Sequence, residues 1–117
     1  MELLELVRAL RNHDTLAARQ WVVDASRAGL HLRDFPEPKG LDAVGLAIAA
    51  GVVELLASRW SQPSPDWTCN VPAAPTPFFL VQAAAHLPRL RRTCETEGPE
   101  PFRRRRLLAP PDFLTAA

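Results

Sequence analysis

The chain has 117 residues, is 47% hydrophobic, and carries 14 basic and 13 acidic side chains for a formal net charge of +1. That length excludes a large multi-part enzyme and a central parallel sheet of many βαβ units, each of which needs about 30 residues. The near-neutral balance excludes a global field that would gather nucleic acid or an anionic membrane surface.

Leu3, Leu6, Val7 and Leu10 recur at spacings of three and four, which predicts a first helix over residues 2–11. Asn12-His13-Asp14 breaks it, and Asp14 or Thr15 can cap a second helix that runs to about Ala28. Leu16, Trp21, Val22 and Ala25 are its apolar candidates, and Gly29 supplies a left-handed stop. The short break predicts an antiparallel helix pair. Phe35-Pro36-Glu37-Pro38 is extended, with Leu32 and Phe35 as anchors to the core. Asp42 caps the strongest predicted helix, Asp42 to Trp60, whose many Ala residues favour close packing. The uncharged stretch Ala43 to Val53 is too short to span a bilayer, which takes about 20 apolar residues.

Prolines then dominate. Of 12, ten lie in the last 55 residues. Gln62 to Thr76 is a Pro-rich connection in which Trp67 docks on the helices. Thr76-Pro77 is a helix-start signal, and Pro88 either kinks the following helix or divides it in two before Glu97-Gly98. Leu87, Leu90 and Cys94 continue its apolar stripe. The fold class is therefore all-α: a small bundle of four or five helices with Pro-rich connections and an extended C-terminal tail. Residues 1–98 form the helical domain, and residues 99–117 form a basic, Pro-rich tail.

No local pattern supports catalysis. His13, His31 and His86 lie far apart, Cys69 and Cys94 match no zinc or redox spacing, and no nucleophile elbow, Gly-rich phosphate loop or His-Glu metal motif is present. The reading is a non-enzyme with no cofactor and no metal. No basic start and apolar core open the chain as a secretory leader would, so it reads as a cytoplasmic protein with free thiols and no membrane partner.

Charge is unevenly divided. Residues 1–66 hold seven basic and nine acidic groups, whereas residues 67–117 hold seven basic and four acidic. The excess sits in Arg89, Arg91, Arg92 and the run Arg103, Arg104, Arg105, Arg106. Leu107, Leu108, Phe113 and Leu114 follow, and a basic run beside Pro-spaced apolar residues suits a segment that docks in a groove. Arg103 to Arg106 with Phe113 and Leu114 are the candidate partner-binding residues. The groove they fill is on the chain's own core or on a partner. The second reading is a DNA-binding transcriptional regulator using the basic second half. Ala47 to Val53 supplies no reader for it, since Val52, Val53 and Glu54 stand where a recognition helix needs a polar front.

The strings Pro65-Asp66-Trp67, Pro72 to Val81, Leu87-Pro88-Arg89-Leu90-Arg91, Cys94-Glu95 and Ala109 to Leu114 resemble a group of small bacterial proteins. Ala18-Arg19-Gln20-Trp21-Val22 and Ala28-Gly29-Leu30 fit the same group. The resemblance implies an antitoxin-like protein encoded beside a larger, sometimes nucleotidyltransferase-like toxin. The expected function is then that of a non-catalytic, protein-binding regulator that neutralises this co-encoded partner.

Overall fold

The computed structural model describes residues 2–115. Helix α1 spans Leu3–Arg11 and buries Leu3, Leu6, Val7 and Leu10, the stripe that the spacing predicts. Each such side chain contributes about 1.5–3 kcal/mol when removed from water. Helix α2 spans Thr15–Ala28. Asp14 accepts the Ala17 backbone N–H at 3.1 Å, and Gly29 stops the helix at φ 65°. The buried stripe of α2 is Ala18, Trp21, Val22 and Ala25. Leu16 does not join it and stands 80% exposed. Two residues of helix turn through about 200°, which puts Leu16 on the face opposite Ala18.

The loop that follows opens with a single 3-10 turn, Leu32–Asp34, and is tied down over its first half. Leu32 is fully buried, its N–H donates to the Gln62 side chain at 3.0 Å, and the Trp67 indole donates to the Phe35 carbonyl at 2.8 Å. Helix α3 spans Ala43–Arg59. Its cap, Asp42, accepts the Gly45 N–H at 2.8 Å and forms a two-pronged pair with Arg11 of α1 at 2.6 and 2.9 Å. The Arg11 hydrogen bonds, reinforced by the Gly45 N–H, pull the Asp42 carboxyl down to about 2. Nearly every residue from Ala47 to Ala57 is buried, so α3 is covered on all sides and forms the centre of the molecule.

The second half departs from the expected bundle. Thr76-Pro77 starts no helix. Phe78–Phe79 is a short strand, β1, that pairs in parallel with β2, Leu107–Leu108. Proline drives the preceding residue toward extended backbone, and Phe78 finds a hydrogen-bond acceptor in Arg106 at 3.0 Å rather than in a helical turn. Pro88 opens a helix instead of kinking one: α4 spans Pro88–Glu97. Helix α5, Glu100–Arg103, is a single turn.

Residues 99–115 are neither extended away from the domain nor separate from it. Phe102, Leu107, Ala109, Phe113 and Leu114 belong to the same core cluster as α1, α2 and α3. The physical reason is the shape of α3. Gly51 leaves a notch in which the Phe102 ring sits, so close that a Cβ there would stand 2.8 Å from its Cδ1. Arg59, at the end of α3, donates to the carbonyls of Phe113 at 2.6 Å and Pro111 at 3.4 Å, holding the last turn in place. No helix among the described residues is long and apolar enough to cross a membrane.

Candidate functional site

The four arginines of the run occupy three different environments. Arg105 is 2% exposed. Its guanidinium grips Glu54 of α3 with two parallel hydrogen bonds, 2.7 and 3.0 Å, and also donates to the carbonyls of Pro101 at 3.1 Å and Thr68 at 2.8 Å. Only its Nε lacks a partner among the described residues. A planar fork matching a carboxylate is the geometry in which a buried ion pair is best compensated. Arg104 reaches the same carboxylate from the surface. Burial pushes the Glu54 carboxyl up, but the hydrogen bonds and charge of Arg105, with the charge of Arg104, outweigh it and hold the group below the usual glutamate value.

Arg103 and Arg106 point outward. Arg106 sits in the left-handed region at φ 61°, a conformation that costs a non-glycine residue about 1–2 kcal/mol. That reversal separates α5 from β2 and turns adjacent side chains to opposite sides. Arg103 donates from Nε to the Gly98 carbonyl at 2.6 Å, and Arg106 donates to the Pro75 carbonyl at 3.1 Å. Neither has a carboxylate within ion-pair distance among the described residues. They line one shallow depression of about 230 Å³ with Pro77, Leu108 and Glu95 of α4. The two predicted anchors, Phe113 and Leu114, are buried in the chain's own core. They fill the groove that the sequence left unassigned, and it is an internal one.

On the other side of Pro77 lies an open groove of about 510 Å³. Phe78 and Phe79, both half-buried, stand on one side of it, and His13, Gln82, Ala83 and His86 on the others. The His13 ring stacks on Phe78 with centroids 5.7 Å apart, and its Nε2 bonds the Phe79 carbonyl at 2.7 Å. Arg11 lies over Phe78 at 5.8 Å and Arg91 over Phe79 at 5.3 Å. His13 and His86, distant in sequence, thus meet at one groove, while no group of three or more His, Cys, Asp or Glu converges among the described residues. Cys94 is buried, and burial, aided by Glu95, pushes its thiol up; Cys69 is exposed.

Two signals could have separated Arg105 from its neighbours. Phe102 and Arg105 are three residues apart and share the buried side of one turn. Glu54 is the lone charged residue between Ala43 and Ser58, and a carboxylate in so apolar a helix requires a cationic partner. Comparison with known proteins found no matching family model, no matching curated protein and no matching solved structure.

Proposed function

We propose that the protein is a non-catalytic binding module that regulates another protein, in the manner of an antitoxin that neutralises a co-encoded, nucleotidyltransferase-like toxin. One observation carries the reading: Arg103 and Arg106 are exposed, braced by backbone carbonyls, and form no ion pair among the described residues. Cations fixed in this way lose little freedom on docking and complement an acidic protein surface. Phe113 and Leu114 lie in the core, Phe113 edge-on to the Phe102 ring, and the partner meets the outer face of the arginine run.

The test is co-expression with the product of the neighbouring gene, followed by affinity capture and measurement of Kd. A salt-sensitive complex that Arg103→Glu with Arg106→Glu weakens by roughly tenfold or more agrees with two reversed rim cations. If no complex forms, and the same variant instead abolishes retardation of the gene's own promoter DNA, the DNA-binding reading replaces this one.

A further inference from the structure

The two depressions on either side of Pro77 form one surface with two chemistries. One side is the groove of Phe78, Phe79, Ala83 and His86, wide enough for an aromatic or leucine side chain. The other side is the depression of Arg103 and Arg106, with Pro77 common to both. Arg91 lies between them, over the Phe79 ring and 3.6 Å from Glu95. Arg11 and Arg91 therefore stand over the rings of the apolar groove, and Arg103 and Arg106, with the carboxylate of Glu95, lie across Pro77 from it. A ligand that satisfies both halves carries an apolar side chain with carboxylates next to it.

We infer that this surface docks an acidic segment of another protein, with an aromatic or leucine side chain in the groove and Asp or Glu side chains against Arg103 and Arg106. The inference rests on the reading of the protein as a binding module and adds where the partner lies and what it looks like. Charge complementarity selects the acidic flank. The slot selects the apolar anchor, because a buried aromatic at the centre of a contact supplies most of its energy. A single-stranded nucleic acid would also satisfy the arginines. Its bases would need open ring faces, and His13, Arg11 and Arg91 already lie over Phe78 and Phe79.

The test is selection of a random 12-residue displayed peptide library on the immobilised full chain. Enriched peptides should combine an aromatic or leucine with neighbouring Asp or Glu. A fluorescein-labelled copy of the best one should lose roughly tenfold or more in affinity to Arg103→Glu with Arg106→Glu, and as much to Ala83→Glu, which fills the groove from an exposed position. Unchanged thermal unfolding of both variants keeps the loss attributable to the surface. The inference falls if enriched peptides lack acidic residues, if binding survives both variants, or if a DNA 12-mer displaces the peptide. A neighbouring-gene product that binds wild type and both variants equally would overturn this docking site and leave the binding-module reading standing. Failure of that product to bind, with acidic peptides still selected here, would overturn the co-encoded partner of the proposed function and leave the docking site standing.

Discussion

Replacing Glu54 by Ala removes the counter-charge of a guanidinium that is 2% exposed and cannot reach water without undocking the C-terminal segment. Two hydrogen bonds to the carboxylate vanish, and the two that remain, to Pro101 and Thr68, are to neutral carbonyls. Breaking one side of a buried pair costs about 3–5 kcal/mol, against a total stability of about 5–15 kcal/mol for a domain of ordinary size. With a urea slope of about 1.5 kcal/mol/M, the unfolding midpoint drops by about 2–3 M. Trp21, Trp60 and Trp67 report the transition by fluorescence, since all three are buried or half-buried. The double change Glu54→Leu with Arg105→Met restores apolar packing but leaves the Pro101 and Thr68 carbonyls bare, at about 1–3 kcal/mol each, so recovery is partial. Arg104→Ala, made at an exposed position, should cost no more than about 1 kcal/mol. The pair also sets a pH dependence. The Glu54 carboxyl lies below its unfolded value, so its stabilisation is complete above the ordinary glutamate range and is lost as pH falls through the lowered folded value. Wild type should therefore lose more stability than Glu54→Gln between about pH 6 and about pH 3. A Glu54→Ala midpoint within about 0.5 M of wild type would show that Arg105 finds solvent or another partner, and would refute the argument.

Three further outcomes follow from the same packing. Gly51→Ala gains helix propensity of about 1 kcal/mol but drives a Cβ to 2.8 Å from the Phe102 ring, and net destabilisation of about 1–2 kcal/mol is expected in the same urea assay. Gly98→Ala is harsher, because its Cβ would stand 2.5 Å from two backbone carbonyl oxygens, Ala109 and Cys94, which no rotamer change relieves. Ending the chain at Gly98 removes Phe102, Arg105, Leu107, Phe113 and Leu114 from the core, and circular dichroism should show loss of cooperative thermal unfolding rather than an intact helical domain.

The first three helices are legible because their signals are local. Asp14, Gly29 and Asp42 act within a turn of themselves, and α1 declares its buried face by spacing alone. Leu16 misleads because an apolar residue is not a direction; only its angle from Ala18 shows that it faces water. Thr76-Pro77 misleads because proline suits both the first turn of a helix and an extended approach to a strand. The choice is made by Arg106 and Leu108, far along the chain, whose carbonyls accept the N–H groups of Phe78 and Leu80. The arginine run is the clearest limit. Among four identical side chains the one local mark is the spacing of Arg105 from Phe102, and the partners that receive its charge, Glu54 and Thr68, lie on other segments.

The parallel pairing of Phe78–Phe79 with Leu107–Leu108 also imposes an order in time. Parallel neighbours cannot be joined by a hairpin, so β1 waits for a long crossover before it gains its partner. The notch at Gly51 waits as well, because Phe102 is made late. At synthesis rates of about 5–20 residues per second, the roughly 50 residues between α3 and β2 leave one face of the most apolar helix uncovered for about 3–10 s. During that interval the nascent chain presents a bare helical face of Ala, Val, Ile and Leu to chaperones, proteases and other nascent chains. Closure comes in one late event, when Phe102 enters the notch and Arg105 meets Glu54.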